Sequence, residues 1–469
     1  MSEAGTGVIS GVQAGTVASS ARGASTTSRS RSSGSTVTGA TGPPAVLSSG
    51  SDEPPQATAS RAASSPTGRI FAYLLMRAWA RAPRGLGSVW RAEVRLRCRL
   101  LATEWPPVTS WIDRPDDLSD RLARWAGQPL VALDTEFIRE RTYYPQLALV
   151  QLGIPGEILL VDPLVPGMDA ALRPLLADPA VTKVMHSASE DLQALQRGCA
   201  ALPAPLFDTQ VAAALCGLGS GLGYQKLVEQ VTGVQLAKGE TRSDWLRRPL
   251  SDSQKEYAAD DVRHVHALHE FLDRELATRG RHAWLQQDAE RALRNAADDS
   301  DDPFPHLALR SAQTLDAEGQ ARLARLLRWR EVQARRSDKP KSWVLDNELA
   351  VLLSRRPPRS LSEFHAVLDR HPKAPRKARG ELWETLSAPL AEGELDLPLA
   401  EGDNLDKARI KAMQQAVAAV AAEHDIPEGL LCSRKHLEAL LAGRGWPAAL
   451  EGWRRTLLEP ALGPLLADG

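Results

Sequence analysis

Apolar positions between about 107 and 280 come in two rhythms. Short, nearly continuous apolar runs lie at 129–136, 146–153, 157–162 and 181–186, and they read as buried strands. Gly153-Ile154-Pro155-Gly156 supplies a turn between the second and third, so the first three strands form an antiparallel meander. Helical spacing takes over at 189–198, 209–216, 223–232 and 252–276, with Ser251 as an N-cap for the last. The result is an α/β unit, a mixed sheet covered by helices. Beyond it, residues 281–309 are polar and Asp-rich and read as a linker. Residues 310–393 and 394–469 then carry amphipathic helices only.

The first 105 residues break this pattern. Residues 1–68 are rich in Ser, Thr, Gly and Ala, without periodicity, and cannot bury enough apolar surface to offset their ordering entropy. Residues 69–105 are Arg-rich, with one short helical stretch at 91–101. The expectation for 1–105 is a disordered, dispensable extension; a targeting peptide and a nucleic-acid-binding tail are the competing readings.

At 469 residues, a length of ~150 per domain suggests about three folded units. Four scattered cysteines, Cys98, Cys199, Cys216 and Cys432, show no metal-ligand spacing and fit incidental thiols of a reducing cytoplasm. No apolar run approaches the ~18 residues of a membrane span. Charge is segregated: residues 1–100 carry roughly +8, 101–300 roughly −9, 310–380 roughly +9 and 381–469 roughly −7. A basic stretch therefore follows an acidic one, a weak pointer to a polyanionic partner.

The acidic stretch holds the informative residues. Asp134 and Glu136 close the apolar run Leu130-Val131-Ala132-Leu133, and residues i and i+2 of a strand share a face. Tyr257 and Asp261 are i and i+4 on a helix and also share a face. With Asp191 they form a set that is costly to gather unless cations neutralise it. Two divalent ions about 4 Å apart would do so, and they are the apparatus for in-line phosphodiester cleavage.

DTEF at 134–137, HSASEDL at 186–192 and YAADDV at 257–262 resemble the three exonuclease motifs of the DEDD superfamily, tyrosine subclass. DTEFIRERTYYPQLALVQLG at 134–153, LFDTQVAAAL at 206–215 and KGETRSDWLRRPLSDSQKEYAADDV at 238–262 are similar to the ribonuclease D family in particular. The resemblance runs from about Trp111 to the C-terminus. It implies a ribonuclease H-like exonuclease domain at 106–280 and two tandem helicase-and-ribonuclease-D C-terminal (HRDC) domains at 310–393 and 394–469. RRSDKPKSWVLDNELAVLL at 335–353 and CSRKHLEALL at 432–441 occupy equivalent places and suggest an internal repeat.

The resemblance further implies a 3′→5′ exoribonuclease that trims RNA 3′ ends, transfer-RNA precursors among them, and releases nucleoside 5′-monophosphates. It gives Asp134 both metal ions, Glu136 and Asp261 the first, Asp191 the second, and Tyr257 the attacking water. Hard oxygen ligands suit two Mg²⁺ or Mn²⁺ per site. A monomer in the cytoplasm, with no membrane and no nucleotide cofactor, completes the expectation. A 3′→5′ DNA exonuclease and a non-catalytic RNA-binding scaffold are the rivals.

Nucleic-acid contacts are sought around this set. Asp260 is a solvated neighbour of Asp261, since adjacent helical positions point about 100° apart. Thr135 and Phe137 turn their side chains away from the acids, yet their backbone can approach a terminal nucleotide. His186 is a candidate substrate contact, with a satisfied structural histidine as the alternative. His264, His266 and His269 read as surface or packing residues. Tyr143 and Tyr144 could stack on a base or pack on the sheet. Lys238 and Arg242 are candidate phosphate contacts. So are two basic runs of the first helical module, Arg335, Arg336, Lys339 and Lys341, then Lys373, Arg376 and Lys377.

Overall fold

The computed structural model describes residues 107–237, 239, 243–400 and 406–467. The expected extension at 1–105, like Lys238 and Arg242, lies outside the described residues.

A six-stranded mixed sheet organises the first domain. Its strands are β1 (Val108–Ile112), β2 (Leu130–Ile138), β3 (Gln146–Ile154), β4 (Glu157–Val161), β5 (Thr182–Met185) and β6 (Leu206–Asp208). They lie in the order β1-β4-β3-β2-β5-β6. β2, β3 and β4 form the expected antiparallel meander, whereas β1 joins β4, β5 joins β2 and β6 joins β5 in parallel. The central strands are apolar on both faces because helices cover both.

One face packs on α1 (Pro115–Arg124), α2 (Met168–Ala177) and α3 (Ser189–Cys199), around Leu118, Leu172 and Leu192. The other packs on α4 (Thr209–Leu215), α5 (Tyr224–Thr232), α6 (Asp252–Arg263) and α7 (Val265–Arg279), around Leu227, Val262 and Leu268. Ser251 and Gln254 close a reciprocal cap at the start of α6. The single helix expected over 252–276 is two. The Tyr224 hydroxyl donates to the Asp260 carbonyl (2.9 Å) and accepts from the His264 amide (3.3 Å), and a hydroxyl inserted into the backbone ladder breaks a helix.

The linker expected over 281–309 is largely helical. α8 (His282–Ala297) buries Leu285 on one side of the sheet and Ala289 on the other. The Asp-rich run that suggested a linker, 298–302, follows this helix, and one of the helix's own charges, Asp288, is only 5% exposed and receives Arg454 at 2.5 and 2.8 Å and Arg291 at 2.9 Å.

Helices α9 (Ala317–Ser337), α10 (Lys341–Val344), α11 (Asn347–Arg355), α12 (Leu361–Arg370), α13 (Arg379–Ser387) and α14 (Glu392–Leu395) enclose a core of their own around Leu326, Leu353 and Phe364. Helices α15 (Lys407–Glu423), α16 (Glu428–Leu431), α17 (Arg434–Leu441) and α18 (Trp453–Ala467) have no separate core among the described residues. Met413, Leu431 and Leu458 join the cluster that underlies α6 and α7. Trp284 of α8 stacks on Trp453 of α18 with ring centroids 4.6 Å apart.

The two helical modules repeat each other locally. Asp338 and Asp425 both have φ near +46°, Pro340 and Pro427 both precede a four-residue helix, and Leu345 and Cys432 both follow it at φ −157°. Asp338 accepts the amides of Tyr143 and Tyr144 (3.0 and 3.1 Å), and Asp425 lies against Gly217 of the α4–α5 loop. The same turn of each module therefore touches the sheet domain.

Candidate active site

β2 runs beyond the end of its partner β5, whose pairing with it stops at Ala132, so Asp134 and Glu136 project past the strand beside them. α6 crosses the same face and brings Asp261 and Tyr257. α3 starts at the strand ends from the opposite face and presents Asp191 in its first turn.

The four carboxylates feel one another. Burial pushes Asp134 well above the usual carboxylate range, and Asp191, Asp261 and Glu136 push it further. Glu136 is pushed up to about 8 by burial, then by Asp261 and Asp191. Burial likewise raises Asp191 and Asp261 to about 7; Thr135 restrains the first and Tyr257 the second. Among the described residues no three His, Cys, Asp or Glu side chains already form a closed metal cage. The mutual electrostatic push of these carboxylates is what marks the cluster. A set of hard oxygen donors held at high proton affinity suits a divalent cation, which would compete with those protons.

Each member is held by named neighbours. The Thr135 hydroxyl, on the other face of β2, donates to Asp191 Oδ1 at 2.6 Å. Its side chain thus serves a carboxylate. Asp208, not among the expected site residues, accepts the amides of Ser187, Ala188, Gln210 and Val211 at 2.8–3.2 Å and fixes the starts of α3 and α4 together. Tyr257 faces Asp261 and holds its carboxyl down against the effect of burial. Its ring is flanked by Trp245, with centroids 6.1 Å apart, and by Gly239, where a Cβ would stand 1.8 Å from two ring carbons. Only glycine fits there.

Several expected nucleic-acid contacts are occupied otherwise. His186 has Nδ1 2.9 Å from the Thr209 hydroxyl and Nε2 3.0 Å from the Leu222 carbonyl, so it is a satisfied structural histidine. Phe137 packs its ring against the core under α3. Tyr143 bonds through its hydroxyl to Glu331 and Arg335 of α9 and is neither stacked in the open nor packed on the sheet. Arg197 covers the ring of Tyr144 at 4.1 Å. Arg335 is paired with Asp299 and Asp301, and Lys341 with Glu331 at 2.6 Å, so these two cations are engaged within the chain. Asp260 is not a freely solvated neighbour but pairs with Arg263. His264 is buried and His266 half-buried, both are held down to about 4 by desolvation, and the His269 ring lies 4.5 Å from Phe207, all packing roles. Lys373, Arg376 and Lys377 are exposed on the α12–α13 loop.

A sheet of this topology with buried acids at its strand ends and a helix-borne tyrosine defines a 3′–5′ exonuclease domain, a hydrolase. A family profile described as 3′-5′ exonuclease matches residues 109–277. Ribonuclease D of Xanthomonas oryzae is 54% identical over 76% of this chain and 98% of its own length, and ribonuclease D of Pseudomonas paraeruginosa is 37% identical over 76% and 97%. The chain belongs to the ribonuclease D family. The crystal structure of Escherichia coli RNase D, described as an exoribonuclease involved in structured RNA processing, superimposes with a TM-score of 0.68 at 31% identity, covering 77% of this chain and 99% of that one. The DEDD exonuclease fold generally works with divalent metal ions. No helix among the described residues is long and apolar enough to cross a membrane.

Proposed function

We propose that the chain is a 3′→5′ exoribonuclease that trims RNA 3′ ends in the cytoplasm, transfer-RNA precursors among them, and releases nucleoside 5′-monophosphates. The observation that carries this reading is the mutual electrostatic push of Asp134, Glu136, Asp191 and Asp261, gathered in one half-buried basin beside Tyr257. These four carboxylates would hold two Mg²⁺ or Mn²⁺ ions. Bound there, the ions supply an activated water and neutralise charge on the leaving 3′-oxygen. Tyr257, flanked by Trp245 and Gly239, faces Asp261 at the edge of the basin, where its hydroxyl would orient the attacking water. Thr135 holds Asp191 against recoil. All five side chains come from one chain, so a monomer suffices.

The test is cleavage of 5′-labelled RNA and DNA of one sequence, with and without Mg²⁺ or Mn²⁺. A metal-dependent ladder shrinking from the RNA 3′ end is expected. Preference for DNA would favour the rival exonuclease, and no cleavage of either would leave a binding protein. Tyr257→Phe should lower kcat by ~10²-fold or more with metal affinity little changed. Equal losses of both would mark the tyrosine as a structural support.

The helical modules we assign as HRDC domains, with 310–380 as the RNA-holding part. Lys373, Arg376 and Lys377 make no ion pair among the described residues, which leaves them for phosphates. Replacing all three with Ala should raise KM for structured RNA and flatten the salt dependence of binding by about two to three units. Turnover of a short single-stranded oligonucleotide should hardly change. Parental binding at every salt concentration would reduce these charges to a solvated face.

A further inference from the structure

The β2–β3 register carries one more polar group into the carboxylate basin. Gln151 stands directly across from Asp134, and on its other side across from Leu160 of β4. Residues opposite one another on neighbouring strands point to the same face, with Cβ atoms about 4.5–5.5 Å apart. Gln151 therefore lies beside Asp134 beneath α6. A Cβ on Gly153, two residues along the same face, would stand 3.5 Å from both Ala132 and Val262, so the helix sits directly on this surface.

Gln151 is fully buried, and neither its Nε2 nor its Oε1 has a hydrogen-bond partner. Burying an amide in this state costs free energy that a leucine would not. The rest of β3 shows what stability alone selects, since Leu147, Ala148, Leu149, Val150 and Leu152 surround the amide in sequence. Across both neighbouring strands the residue facing it is either the apolar Leu160 or the carboxylate of Asp134. An amide kept at this cost needs a partner in some state of the protein, and Asp134 is the one within reach.

We propose that Gln151 is a positioning residue of the active site. Its side-chain Nε2 donates to the Asp134 carboxylate when that carboxylate turns toward divalent ions, and the bond fixes the carboxylate's direction. An amide can do this where a cationic donor could not, because it adds no positive charge to compete with the ions. The proposal rests on the metal-site reading given above.

The test uses the full chain and Mn²⁺ alone, without RNA, in a calorimetric titration of the parent, Gln151→Leu, Gln151→Met and Asp134→Asn. Both Gln151 variants should melt, metal-free, at or above the parental temperature, because an unpartnered amide has been replaced by an apolar group of similar size. Both should bind Mn²⁺ at least ~10-fold more weakly, the usual scale for a lost partner of a metal ligand. Folded variants that bind Mn²⁺ like the parent would overturn the proposal. So would failure of both to fold, since the amide would then be a structural group. Asp134→Asn separates the two ideas: if it loses Mn²⁺ while the Gln151 variants keep it, only the positioning role fails. If Asp134→Asn also binds like the parent, the metal-site reading falls with it.

Discussion

Asp134→Asn should abolish cleavage, by ~10³-fold or more, and at the same time make the metal-free protein more stable at neutral pH. The two effects share one origin. Asp134 is proposed to meet both ions, so an amide there removes the charge on which the transition state depends. Without metal the same charge is a burden. Asp134 is raised well above its ordinary value, Glu136 to about 8, and Asp191 and Asp261 to about 7. Groups with raised folded values hold more protons folded than unfolded between about pH 4 and their own folded values. The stability they give is complete below the unfolded values and is lost as pH rises through 7 to 8. The parent's metal-free melting temperature should thus sag over this window, and Asp134→Asn should sag less. Added Mg²⁺ should protect the parent more at pH 8 than at pH 6. Thermal melts across pH, with and without Mg²⁺, check both signs. More than about a tenth of parental turnover in Asp134→Asn would contradict the two-metal assignment.

Asp288→Ala should be the most destabilising single change outside the site. It would leave the Arg454 guanidinium, 5% exposed, without its two-pronged partner, and Arg291 beside it without a counter-charge. Breaking a buried pair from one side costs about 3–5 kcal/mol. For a body of this size the melting temperature should fall on the order of 10 °C. The Trp453 indole, which donates to the same carboxylate at 3.2 Å, and its stack on Trp284 should loosen too. Limited proteolysis would then cut first within 406–467. Arg455→Ala is the contrast: its pairs with Glu451 and Glu459 are exposed, and such pairs contribute ~0–1 kcal/mol. Asp288→Ala melting with the parent would mean that the tryptophan stack and shared apolar core hold α18 unaided.

What could be read from the sequence divides by physical cause. The meander β2-β3-β4 was legible because its strands are buried on both faces and so are apolar throughout. β1 was not: Val108 and Thr109 are exposed at the sheet edge, and an edge strand needs no apolar run. β6 is three residues long, too short for any period. α8 hid behind its charges, because its burial is partly ionic and the partner Arg454 lies 166 residues away. In the site, the acids stood out by type, spacing and order. Thr135, Asp208, Gly239 and Gln151 did not, since each acts through a neighbour in another element. Arg335 and Lys341 misled for the same reason. The acids that engage them sit in the Asp-rich segment before α9 and on α9 itself.

The two locally similar helical modules sit differently in one molecule. The copy at 310–393 keeps a core of its own and touches the sheet domain through Asp338 and the Tyr143 hairpin. The copy at 406–467 has given its apolar face to the catalytic body. Loss of the first copy would leave the other two apolar cores whole. Shedding the second would strip Met413, Leu431 and Leu458 from the cluster that underlies α6 and α7, so lineages that shorten this protein should do so from within the middle, not from the end.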